Sequence, residues 1–151
     1  MQSLKQARIF LMTQISMSMD NLNNQQIIEQ LYGNYAAGNI SAVLSAFDND
    51  VVWVRPGAPS IPFSGVFKGV EEVTRMFAIQ ATTLAIKTFL PEKICTNDDT
   101  VMVLGHDVAE VIATGKTYTT GWVHSFTFKD GKIIYVQVYI DTKTMADAFL
   151  P

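Results

Sequence analysis

The chain has 151 residues, of which 48% are hydrophobic and 17% charged, and its formal net charge is -3. That length suits one domain able to bury most of the apolar surface its unfolded form exposes, the composition excludes disorder, and the acidic balance excludes a basic field for nucleic acid. A single cysteine, Cys95, rules out an internal disulfide framework, and His106 and His124 lack the spacing and companions of a zinc site, so neither metal nor cofactor is expected.

Residues 1–23, "MQSLKQARIFLMTQISMSMDNLN", carry basic residues early. Their apolar stretch is broken by Thr13, Gln14, Ser16 and Ser18, where a signal peptide would need a continuous apolar core. A short helix or loose arm is expected there, ahead of one domain over 24–151. No apolar run reaches the length of a membrane span, and a cytoplasmic protein with no membrane partner is expected.

From Asn24 the pattern turns helical. Ile27, Ile28, Leu31, Tyr32 and Tyr35 recur at helix spacing, and Gly38 provides a stop. A second short helix is expected over Ser41 to Phe47, then a strand in "VVWVRP" that Pro56 ends. The stretch "GAPSIPFSGVFKG" holds three Gly and two Pro in thirteen residues and reads as loop. Helix periodicity returns from about Gly69 to Leu84, with Val70, Val73, Phe77 and Leu84 on one face. Strands follow near 86–96, 100–113, 116–129 and 132–140, and Thr142 is the expected N-cap of a last helix. This order predicts an α+β fold with a mostly antiparallel sheet.

Asp130-Gly131 between two alternating runs signals a two-residue hairpin turn. Counting back from Lys129 opposite Lys132, an unbroken ladder sets Phe128 against Ile133, Phe126 against Tyr135, His124 against Gln137, Trp122 against Tyr139 and Thr120 against Asp141. All ten side chains would share one face, leaving Val123, Ser125 and Thr127 with Ile134, Val136, Val138 and Ile140 on the other. An aromatic face with scattered polar tips suits a ligand cavity. A core histidine satisfied by its neighbours, and an aspartate that merely caps the last helix, are the plainer readings of His124 and Asp141. Trp53 and Arg55 share one face of the first strand, and an Arg with a distant carboxylate in a cavity marks many functional sites.

The segments "LYGNYAAGNISAVLSAFDNDVVWVRPG", "PFSGVFKGVEEVTRMF" and "WVHSFTFKDGKIIYVQVYIDTKTMADAF" resemble the SnoaL-like branch of the NTF2-like superfamily over about residues 24 to 150. The resemblance implies a strongly bent sheet wrapped round helices as a cone, a deep apolar pocket, and a homodimer formed through the sheet's outer face. In the ketosteroid isomerase branch, the oxyanion-holding tyrosine falls near Leu31, the proton-shuttling aspartate at Arg55 and the second acid at His124, so that mechanism is not expected. The polyketide cyclases place an aspartate on the last strand, where Asp141 stands, and a histidine on the strand before it. The water-activating set of limonene epoxide hydrolase would need a second cavity carboxylate, for which Asp107 is the candidate.

The expected catalytic residues are therefore Asp141, His124 and Arg55, with Trp53, Trp122, Tyr139, Tyr32, Tyr35, Phe77 and Phe126 around a ligand. In the ideal register Asp141 lies roughly 13 Å from the level of His124, so the two would act from opposite sides of a substrate. Asp107 faces the cavity if the turn at Thr114-Gly115 has two residues, whereas a one-residue bulge would bring His106 in instead. The expected function is a cofactor-independent isomerase, cyclase or hydratase acting on a small apolar or carbonyl-containing molecule. The alternative is a binding or dimerisation module of the same fold.

Overall fold

The computed structural model of the chain describes Gln6 and residues 23–151. The arm expected over 1–23 lies outside these residues but for Gln6 and Asn23. Helix α1 covers 23–36 and α2 covers Ile40–Ser45, with Asn39 between them accepting from the Ala42 N–H. Gly38 at φ 72° makes the left-handed turn that stops α1. Strand β1 (Phe47–Arg55) begins at Phe47, earlier than the valine pattern implies. After a proline-rich loop, the short edge strand β2 (Gly65–Lys68) pairs with it, in a stretch that glycine and proline content marks as loop.

Helix α3 (Gly69–Thr83) follows directly. Glu71 and Glu72 in its first turn complement the helix dipole, and Glu72 also accepts from the Lys68 N–H at 2.6 Å. Then comes a meander of β3 (Leu84–Asn97), β4 (Thr100–Val111), β5 (Thr117–Lys129) and β6 (Lys132–Ile140), closed by α4 (Thr142–Phe149).

The six strands form one curved mixed sheet in the order β2-β1-β6-β5-β4-β3. All pairs are antiparallel except β1 with β6, so the last strand lies inside the sheet beside the first. The concave face carries the core, where α1 and α3 contribute Ile28, Leu31, Val73 and Met76. The observed architecture is the α+β fold expected, with one more strand.

The β5–β6 turn is as the Asp-Gly signal predicts. Asp130 and Gly131 both have positive φ, at 49° and 73°, and Lys129 faces Lys132. The ladder beyond it is not continuous. Phe128 pairs with Ile133, but Thr127 pairs with Tyr135, so Ile134 is an extra residue on β6. A one-residue slip exchanges the faces of everything after it. His124 now faces Val138 and Trp122 faces Ile140. Val136, Val138 and Ile140 turn inward, while Tyr135, Gln137 and Tyr139 lie outside beside Val123, Ser125 and Thr127. The outer face expected to be aliphatic is therefore aromatic and polar along β6.

Candidate active site

The helices and the sheet enclose a cavity with about 40 Å³ of free volume, room for roughly a few water molecules. Strand β5 supplies Trp122, His124 and Phe126 on alternate positions, because side chains two apart share a face. Trp53 and Arg55 come from β1 by the same rule. Asp107 comes from β4, between Phe89 of β3 and Thr120 of β5 in the ladder. From the helices, Tyr32 and Tyr35 of α1 and Phe77 and Gln80 of α3 close the space.

The aromatic wall is stacked. The Trp122 and His124 rings lie 4.2 Å apart at 16°, and Phe89 stacks on Trp122 at 5.0 Å. The Tyr32 hydroxyl and His124 Nδ1 share a hydrogen bond of 2.8 Å. Both indoles leave a buried N–H without a partner among the described residues.

Three ionisable groups face this space in a nearly dry setting. Arg55 is 6% exposed, Asp107 7% and His124 8%. Burial holds the guanidinium below its ordinary pKa, against the opposing pull of Tyr118, Asp107 and Tyr35, though an arginine remains charged. Its guanidinium lies 4.9 Å from the Phe63 ring centre and forms no ion pair among the described residues. Burial pushes Asp107 up to about 6, opposed by Arg55, by His106 and by the backbone, and its Oδ1 has no partner among the described residues. Burial first, and the Arg55 charge second, push His124 down to about 3, so the imidazole is neutral at ordinary pH. The site thus sets a carboxylate that titrates near neutrality against a fixed cation and a neutral imidazole.

Of the residues expected from the sequence, Arg55, His124, Trp53, Trp122, Tyr32, Tyr35, Phe77 and Phe126 meet around the cavity. Tyr139 does not: it is 58% exposed on the sheet's outer face. Asp141 does not either. It sits at the exposed N-terminus of α4, where its carboxylate accepts from the N–H groups of Lys143 and Thr144 and from the Thr144 hydroxyl. Those bonds hold it below the usual carboxylate range. The bulge at Ile134 removes both from the cavity, and the cap position expected at Thr142 is filled by Asp141. The cavity carboxylate is Asp107, reached across a β4–β5 loop longer than two residues that keeps it inward. Phe89 and Gln80 are further wall residues outside the expected set. Among the described residues no cluster of His, Cys, Asp or Glu could hold a metal ion, and no helix is long and apolar enough to cross a membrane.

A bent mixed sheet closed by N-terminal helices over an aromatic cavity defines an NTF2-like, cystatin-like architecture. The SnoaL-like domain family matches residues 28–136, and the chain belongs to that family. An NTF2-like protein from Burkholderia xenovorans LB400 is similar in structure, with TM-score 0.79 at 23% identity over 86% of this chain and 98% of that one. TerC, crystallised with polyporic acid, has TM-score 0.76 and 26% identity over 84% of this chain and 98% of its own. A protein with a cystatin-like fold from Xanthomonas campestris has TM-score 0.71 and 24% identity over 83% and 96%. No protein of curated function matches the chain.

Proposed function

We propose that this chain is a cofactor-independent acid–base enzyme of isomerase, cyclase or hydratase type, acting on a small carbonyl compound held in the cavity. One observation carries the reading: Asp107 and Arg55 are both buried on the cavity wall and form no ion pair with each other. A charge pair that existed only for stability would be expected in contact. Held apart, the carboxylate is free to take a proton from carbon beside a carbonyl, and the guanidinium to stabilise the enolate oxygen that forms. A base poised near 6 matches that task at neutral pH. TerC, crystallised with polyporic acid, supports an acid as the kind of molecule a cation in such a site could receive.

The small free volume favours a second reading, a non-catalytic binding or dimerisation module, since ligand pockets usually run to about 300 Å³ or more. Catalysis on a ring-sized compound requires the half-buried rings of Tyr32, Tyr35, Phe77 or Phe89 to turn aside.

The two readings separate in deuterium incorporation from D2O into a panel of aryl ketones, followed by NMR. The enzyme reading expects exchange above background that falls about 10²-fold or more in Asp107→Asn, with affinity little changed. It also expects kcat/KM to drop about tenfold per pH unit below about pH 6 as the base protonates. Binding with no exchange, or exchange indifferent to Asp107→Asn, would overturn it in favour of the binding module.

A further inference from the structure

The bond between Tyr32 and His124 is the one side-chain hydrogen bond that joins two residues of the cavity wall among those described. Its direction follows from counting donors and acceptors. A neutral imidazole has one N–H and one bare nitrogen, and a phenol has one O–H to place. If Nδ1 carried the proton and donated to the tyrosine oxygen, the phenol proton and the bare Nε2 would both lack partners. If the phenol donates, Nδ1 is satisfied and a single group is left over, the Nε2–H. Leaving one polar group unmatched costs less than leaving two. Burial keeps the phenol protonated and the imidazole neutral, so these two neutral arrangements are the ones to compare.

His124 cannot readily turn to change this. Its ring is stacked on Trp122 at 4.2 Å, and Phe126 meets it edge-on at 6.1 Å. Nε2 has no partner among the described residues and is not sealed off by packing.

We propose that Tyr32 is a positioning residue, whose hydroxyl holds His124 in the Nε2–H tautomer so that one fixed N–H is presented to an acceptor oxygen of the ligand. The inference rests on the cavity being a ligand site, and it narrows the ligand to one that brings a carbonyl or enolate oxygen. Arg55 and the Nε2–H are both donors, so an alcohol or amine whose hydrogen needs an acceptor is served only by Asp107.

The tautomer is read directly by nitrogen-15 NMR of the imidazole. The chain has two histidines, and the variant His106→Gln leaves His124 as the only signal. A protonated Nε2 and a bare Nδ1, unchanged between about pH 5 and 8, are expected. In Tyr32→Phe, checked for folding by thermal melt, the two tautomers should mix and any ketone exchange should slow about tenfold. A protonated Nδ1 in the parent protein, or an unchanged imidazole in Tyr32→Phe, overturns the proposal. The parent spectrum alone decides the tautomer if the variant does not fold. If no ketone exchanges, the enzyme reading fails while the tautomer result stands by itself.

Discussion

Position 105 carries no side chain, and the stacking of the cavity's aromatic wall depends on that. Gly105 is the partner of Trp122 across β4 and β5, and a methyl group there would collide with the indole ring and with the Leu90 carbonyl oxygen. The indole cannot retreat, because His124 and Phe89 stack against it. Nor can the carbonyl, which belongs to the neighbouring strand β3. We expect Gly105→Ala to destabilise the protein by about 1–3 kcal/mol, the usual cost of overpacking. The loss would be measured by thermal melt, with a change in tryptophan fluorescence if the wall is displaced. A melting temperature equal to the parent's would show that the indole has somewhere else to go. At the same scale, the divided roles of two carboxylates come from surroundings alone. Asp107 has an unpartnered oxygen in a dry wall and is pushed up, whereas Asp141 has three donors in water and is pulled down.

At the scale of elements, α4 depends on Asp141 for its start. The side chain satisfies two backbone N–H groups that the first turn leaves open, which is what an N-cap does. Asp141→Ala should therefore lower the melting temperature by several degrees and leave turnover untouched. A large loss of turnover without a change in stability would contradict the placement of this residue. The contrast shows what sequence carries and what it does not. The turn at Asp130-Gly131 was legible because two consecutive positive φ angles demand those residue types. The extra residue at Ile134 was not, because Ile133-Ile134 suits either register. Its trace is that doublet: ending the alternation there puts Val136, Val138 and Ile140 in the core, where aliphatic groups belong. Strand β2 was hidden for another reason, since a four-residue edge strand in a Gly- and Pro-rich stretch has too few positions to show a period. On β1 and β5, Trp53, Arg55, Trp122 and His124 were legible from alternation alone, because no bulge lies between them. Asp107 stayed ambiguous because its facing hung on the length of one loop.

For the molecule as a whole, the two buried titrating groups act on stability with opposite signs. The folded pKa of Asp107 is raised, so its protonated form favours the fold, and stability falls as pH rises from about 3.8 to about 6. The folded pKa of His124 is lowered, so the neutral form favours the fold, and stability falls as pH drops from about 6.5 to about 3. Each slope is about 1.4 kcal/mol per pH unit, so the two nearly cancel between about pH 4 and 6. Denaturant titrations across that window should give a flat line for the parent, a rising one for Asp107→Asn and a falling one for His124→Gln. Three parallel lines would mean that neither group is held in its disfavoured state.

The parallel pairing of β1 with β6 sets an order of assembly. The last of the six strands in chain order occupies an inner place in the sheet, and it bridges β1 and β2 on one side to β3, β4 and β5 on the other. A nascent chain halted before residue 132 holds two incomplete halves, with Trp53 and Arg55 on one and Trp122, His124 and Asp107 on the other. Such distant pairings form slowly, and the exposed strand edges invite unwanted partners meanwhile. The cavity is therefore complete only once β6 lies between the halves, with the cation on one and the carboxylate on the other.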